Sequence, residues 1–325
     1  MAEKDRMPVE REVETETVPC EAHLRQDLEF ISLIPGPAFI DKHLAYERKR
    51  VRTVLDAGGW AYRSGAGSAL LRVLPWDSDH FGISVAELTR LYLDPKRRQP
   101  ALRQLLEACH RSFEQRDIQC VVARVRCDQL DALHALEDLG LRLMDTSLEL
   151  GLDRRLEVGE RSVAAPASSP AAVDIALRIA SEDDSEKLSA IAESFTNNRF
   201  HRDPRMSDTS AAGVYRSWVK NAASGKRQKV LLAETAGEIA GFCTYDEDAA
   251  RMLNVGIIAL LTVAPEFRGQ GIARALVSGA MDMMNTRWIV TSTQVENIAS
   301  QRTFTGLGFK PIAARHILHG WLGAS

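Results

Sequence analysis

One run of elements occurs twice in this chain, and no other feature constrains its fold as tightly. The later copy reads LLTVAPEFRGQGIARALVSGAMDMM and the earlier RLYLDPKRRQPALRQLLEACHRSF. Each has the pattern of a strand, a turn and an amphipathic helix. With Pro95 set on Pro265, Leu102, Leu105, Leu106 and Cys109 fall on Ile272, Ala275, Leu276 and Gly279. A second strand follows in each copy, CVVARV or WIVTSTQ. Then comes a short helix ended by Gly140 or Gly308, glycine being the usual left-handed residue past a helix. A last strand starts at Leu141 and at Phe309. Such a unit, used twice, implies two related α/β domains in tandem, each a mixed sheet covered by helices.

The length of 325 residues accommodates both. Residues 1–21 are polar and acidic and read as a disordered tail. A stretch of small residues with two prolines, AAPASSPAA at 164–172, has linker composition. The expected division is a tail over 1–21, a first domain over 22–151, a linker over 152–172 and a second domain over 173–325. Within the second domain, Ser181 and Asp184 signal a helix start, and Lys229–Glu234 and Ile239–Tyr245 read as a hairpin across Ala236-Gly237.

Hydrophobic residues make up 45% and charged residues 26%, with a formal net charge of -3, so no global basic field draws nucleic acid or an anionic membrane. The five cysteines (Cys20, Cys109, Cys120, Cys127, Cys243) include no C-x-x-C pair, and neither a signal peptide nor a spanning segment is visible. The expectation is a cytoplasmic protein with reduced thiols and no metal site.

The copies differ at one turn. Arg268-Gly269-Gln270-Gly271 opens the later helix, whereas Arg98-Gln99-Pro100-Ala101 in the earlier copy has no glycine. Glycines let a backbone approach a ligand closely, and a helix start offers unpaired N–H groups and a positive dipole end. Arg268 adds charge, so the turn suits a pyrophosphate. No G-K-[ST] follows, which excludes a Walker loop, and Arg274 stands where a dinucleotide fingerprint needs its third glycine.

Arg268, Gly271 and Ala273 fill the R/Q-x-x-G-x-G/A pattern, which resembles motif A of the GCN5-related N-acetyltransferase (GNAT) superfamily. Asn297 to Phe309 is similar to the superfamily's N-x-x-A-x-x-x-Y-x-x-x-G-F segment, with two departures. The resemblance implies two GNAT-like domains, the first degenerate, and acetyl-CoA or another acyl-CoA as co-substrate. It implies that Thr262 and Val263 pair with the pantetheine arm, and that the loop amides of Arg268, Gly269, Gln270, Gly271, Ile272 and Ala273 hold the pyrophosphate. Asn297 and Phe304 would contact the cofactor arm, and the Val263 amide would serve the oxyanion.

Pro75 to Gly82, PWDSDHFG, resembles the W-D-S-x-F-F-G stretch of the dTDP-amino-sugar (dTDP-fucosamine) N-acetyltransferase type, which also has a degenerate first domain, and Arg199 to Arg205 resembles a segment of the same enzymes. The expected reaction is N-acetylation of a small-molecule amine, first choice an amino-sugar nucleotide, with Trp76, Asp77, Arg199, Arg202 and Tyr245 on the acceptor. A natural-product or polyamine acyltransferase, a protein acetyltransferase and a catalytically silent acyl-CoA-binding regulator stay open, as does a homodimer.

The superfamily's usual acid and base are missing. Phe304 stands at the acid's Tyr and Ala259 at the base's Glu. His201 is the foremost replacement base, with Tyr245, Asp246 and Glu234 behind it. Ser292 and Thr293 are candidates to line the acyl site.

Overall fold

Helices α1 (Glu21–Leu24) and α2 (Pro37–Asp56) precede the first repeat. It contains β1 (Trp60–Ser64), β2 (Gly67–Val73), α3 (Pro75–Phe81), β3 (Val85–Leu93), α4 (Gln99–Glu114), β4 (Cys120–Arg126), α5 (Leu130–Asp138) and β5 (Arg142–Asp153). The second contains β6 (Ala176–Ile179), α6 (Ser185–Glu193), α7 (Arg199–Arg202), α8 (Asp208–Ala223), β7 (Lys229–Thr235) and β8 (Glu238–Ala250). It ends with β9 (Val255–Val263), α9 (Ile272–Met283), β10 (Trp288–Gln294), α10 (Ile298–Thr305) and β11 (Lys310–Trp321). This computed structural model describes residues 18–25, 37–155, 174–195, 198–223 and 228–323.

The repeats do not map one to one onto compact units. One unit holds Gly36–Met144 with Arg315–Ser325, and the other holds Asp145–Ala314. The first unit's strand order is β1-β2-β3-β4-β11, and the second's is β5-β10-β9-β8-β7-β6. Strand β11, last of the second repeat, pairs antiparallel with β4 from Arg315↔Arg126 to Trp321↔Cys120. Strand β5, last of the first repeat, pairs antiparallel with β10 from Ser147↔Gln294 to Asp153↔Trp288. The closing strands are exchanged.

The limits 22–151 and 173–325 gave each closing strand to its own copy, so both limits shift. A repeat shows which elements recur, but not which sheet a closing strand joins. The tail expectation also shortens, because α1 begins at Glu21. Residues 1–17 and most of the expected linker lie outside the described residues.

In the second unit, Leu276, Val277 and Ala280 of α9 pack with Ile258 and Ile289 on one face of the sheet. Leu188 of α6 and Val219 of α8 pack with Leu232, Phe242 and Leu260 on the other. The first unit is layered likewise, with α4 and α5 on one face and α2 on the other. Among the described residues no helix is long and apolar enough to cross a membrane.

A partly exposed ionic brace ties the edge of the second sheet to the start of α6. Arg178 on β6 reaches both Asp184 oxygens at 2.7 and 2.8 Å and Glu234 at 2.7 Å. Asp184 also accepts from the Ser181 N–H at 2.8 Å. The Arg178 guanidinium, with the Ser181 donors, holds the Asp184 carboxyl well below the usual carboxylate range. Asp184→Ala should lower stability by about 0.5–2 kcal/mol at neutral pH. A depressed folded value means that this contribution is complete above the unfolded carboxyl's value of about 3.9 and is lost as the pH falls towards the folded one. Urea unfolding of both proteins should therefore show their difference shrinking below about pH 4.

Candidate functional site

Strands β9 and β10 run parallel but part company. They pair from Val255↔Trp288 only to Ile258↔Thr291. Beyond that point β9 stays on β8, as far as Val263↔Gly241, while β10 stays on β5. The divergence begins at a β-bulge. Tyr245 faces Ile258 and Thr244 faces Leu260, which leaves Ala259 as the extra residue.

The core confirms the change of face. Ile258 packs on the α9 side, Leu260 on the α6–α8 side, and Leu261 and Val263 again on the α9 side. The Leu260 N–H donates to Thr244 Oγ1 at 3.1 Å, and Thr244 is fully buried. Gly241 is required opposite the strand end, because a Cβ there would lie 2.6 Å from the Thr262 carbonyl.

The Ala264 N–H donates to Ala240 O at 2.9 Å. Antiparallel alternation then turns the main-chain groups of Thr262 and Leu260 towards β8, and those of Leu261 and Val263 towards the opening. The result is a wedge with an unpaired strand edge along one wall.

That edge feeds straight into the glycine turn. Gly269 and Gly271 sit at φ 78° and 84°, in the left-handed region, and neither would meet an atom within 4 Å if given a Cβ. The first α9 amide bonded back is that of Ala275, to Gly271 O. The amides of Ile272, Ala273 and Arg274 precede it, and a helix start gives them no intrahelical acceptor. Ile272 contributes only its amide, because its side chain is buried in the core. Arg268 Nε donates to Val263 O at 3.1 Å, so its charge is held between strand end and turn. Arg274 is tied to Gly306 O, Gln270 to Glu266 O, and Asn297 caps α10 by accepting the Ser300 N–H.

The first unit repeats the wedge but not the turn. Strands β3 and β4 also part after Leu88↔Ala123, and Thr89 is bulged between Leu88 and Arg90. Setting Pro95 on Pro265 places Thr89 on Ala259. Here, however, Asp94 Oδ1 accepts the Lys96 N–H at 2.7 Å, and Arg97 is paired with Asp131. The counterpart of Gly269 to Gly271 is Gln99, Pro100 and Ala101, with no glycine and, at Pro100, no amide proton to offer an anion.

On the α6–α8 side, α7 is braced across the open end of the second sheet. Arg202 donates to Asp145 on β5 at 3.1 Å and pairs with Glu296 after β10. In this structure it braces α7 against β5 and the end of β10. Arg199 lies over the Phe200 ring at 4.4 Å. Burial raises the Asp145 carboxyl despite Arg202 beside it, and pushes the Tyr215 hydroxyl up to about 12.

His201 is held by Asn198. Asn198 Oδ1 accepts the Phe200 and His201 N–H groups at 2.9 and 3.2 Å, so its Nδ2 faces His201 Nδ1 at 2.7 Å. Nδ2 can only donate, hence Nδ1 accepts and the neutral ring carries its proton on Nε2. That nitrogen presents a donor, the wrong form for a base.

Tyr245 lies in the α9-side core, with its hydroxyl at Met283 Sδ near the far end of α9 from the glycine turn. It therefore does not reach the wedge. Phe304 is buried against Phe309, with ring centroids 5.2 Å apart. Thr293 is buried, whereas Ser292 is exposed just past the last β9–β10 pair. Trp76 and Asp77 belong to α3 in the first unit, where Trp76 is exposed and stacked on His80 at 5.1 Å. Reading the sequence missed Thr244, Asn198, Asp145 and Glu296. Only Asn198, directly before Arg199, carries a local signal, that of a helix N-cap.

Residues 189–309 match the acetyltransferase (GNAT) family. The matched stretch lies within the second unit, which resembles a GNAT domain. Over 147 residues the chain is 26% identical to the spore coat polysaccharide biosynthesis protein SpsD of Bacillus subtilis, covering 43% of this chain and 48% of SpsD. The chain thus spans about half the length of that curated relative. A GCN5-related N-acetyltransferase from Sphaerobacter thermophilus matches in fold with a TM-score of 0.60, at 18% identity over 98% of each chain. A tandem GNAT protein from the clavulanic acid biosynthesis pathway matches with a TM-score of 0.51, at 15% identity over 82% of this chain and 83% of its own. The two-domain fold is shared with both.

Because the GNAT wedge rests on the bulge, Thr244→Val should leave the Leu260 amide buried and unpaired. We expect a loss of about 1–3 kcal/mol in chemical denaturation, with Thr244→Ser close to wild type.

Proposed function

We propose that this protein transfers an acyl group from acetyl-CoA, or a related acyl-CoA, to the amine of a small molecule. One observation carries the reading: the unpaired β9 edge runs directly into two left-handed glycines and an uncapped helix start. An extended amide-bearing arm suits the edge, and a pyrophosphate suits the turn. Members of the family use this co-substrate, and the first unit's turn, which has no glycine and carries Pro100 at the helix start, favours a site in the second alone.

In this reading the amides of Gly269 to Ala273 bind the pyrophosphate, with Arg268 adding charge. The pantetheine amides pair with the Leu261 and Val263 main chain. Because the arm runs from the turn towards the apex, its thioester end lies nearer Leu261 than Val263, and in this reading the Leu261 N–H, rather than the Val263 amide expected from the sequence, is the oxyanion donor. Phe304 carries no proton, and none is needed to expel a thiolate, whose thiol has a pKa of only about 8.5. Positioning the two substrates supplies much of the remaining acceleration.

An amino-sugar nucleotide is the acceptor we favour. The similarity to a spore coat polysaccharide biosynthesis protein supports it, as does the PWDSDHFG stretch of the first unit.

Calorimetric titration with acetyl-CoA tests the site. The wild type should bind, and a folded Gly271→Glu variant should bind at least about tenfold more weakly, since it strains a left-handed position and brings a negative charge to the anion. No binding of acetyl-CoA, longer acyl-CoAs or free CoA by the wild type would contradict the proposal.

A further inference from the structure

With Ala259 at the bulge and His201 presenting a donor, the reaction still needs a group to take the ammonium proton. We infer that Glu149, on the exchanged strand β5, is that group. The inference rests on the acyl-transfer reading of the same site.

The apex of the wedge is fixed by the last β9–β10 pair, Ile258↔Thr291. The next residue of β10 is Ser292, and its partner on β5 is Glu149. Antiparallel partners have Cα atoms about 5 Å apart, so Glu149 stands one strand away from the point where the wedge opens.

Its face follows from the core. Leu150 and Leu152 pack on the α9 side together with Ile289. Side chains alternate along a strand, so Glu149 and Ser292 lie on the opposite face, with α7 and α8. Asp145, on the same parity of β5, does meet Arg202 of α7. Ser292 is exposed and Glu149 half-buried between buried or partly buried leucines, so this patch of sheet is open to an incoming molecule.

Of the other acids weighed above, Asp145 and Glu296 lie further along, at Arg202 of α7, and Glu234 lies on β7 at Arg178, away from the apex. Asp246 is buried opposite Ile257, below the apex on the paired part of β9.

The step balances without another reagent. Glu149 accepts one proton from the substrate ammonium and passes it to water. The neutral nitrogen attacks the thioester carbon, and the C–N bond forms as the carbonyl becomes an oxyanion. The C–S bond then breaks, and the nitrogen's second proton leaves to the thiolate through solvent.

Position can be tested without an acceptor. In a Glu149→Cys variant, bromoacetyl-CoA should alkylate the introduced thiol: an S–C bond forms, bromide leaves and the thioester survives. Peptide mass analysis should find the label on the 142–154 segment, and acetyl-CoA, which has no free thiol to consume the reagent, should suppress it. Role is tested by CoA release with a dTDP-4-amino-4,6-dideoxyhexose. Glu149→Gln should lower kcat by about 10²-fold or more with an unchanged KM for acetyl-CoA. Glu149→Asp should recover part of the rate.

Absence of labelling in a variant that still binds acetyl-CoA by calorimetry overturns the inference, as does an unchanged kcat in Glu149→Gln. A wild type that binds no acetyl-CoA overturns the site reading instead.

Discussion

The bulge at Ala259 is the constraint from which the rest of the second unit follows. One extra residue on β9 turns Leu260 to the α6–α8 side and releases the strand from β10. Main-chain groups that a continuous sheet would have consumed are left facing an opening. Unpaired edge groups invite another extended chain, and an amide-bearing arm meets that description. Thr244 holds the arrangement by accepting the one amide that the bulge would otherwise strand in the core. The glycine turn then continues the same edge into a helix start, so extended arm and anion are served by consecutive residues.

The first unit shows how separable these two parts are. It retains the bulge, at Thr89, and the parting of strands, yet its turn has no glycine and puts Pro100 at the helix start. The wedge is therefore a property of the fold, and anion capacity is a property of the turn. A duplicated domain can keep the first for its packing while losing the second by a few substitutions.

Much of this was legible in the sequence because it is local. The repeat gave the order of elements, and Gly269 and Gly271 marked a turn that a ligand can approach closely. The absence of glycine around Arg98 pointed to a turn without that freedom. What escaped the sequence depends on pairing across distance. Nothing local tells that β5 and β11 trade sheets, since both follow the same short helix and glycine. The strand exchange in turn hid Asp145 and Glu149, because residues before 173 were assigned to the other domain. His201 and Arg202 had the right chemistry at the right segment, but the partner of each decides what it can do. Asn198 sets the tautomer of one, and Asp145 and Glu296 consume the charge of the other.

The most direct test of the central claim is amide hydrogen exchange of the full chain with and without acetyl-CoA. Binding along the β9 edge and at the glycine turn should slow exchange in peptides covering residues 259–275. The equivalent stretch of the first unit, residues 89–105, should be unaffected. Protection in the first unit alone, or none in 259–275 at saturating acetyl-CoA, would contradict the claim that the unpaired edge and its turn form the acyl-CoA site.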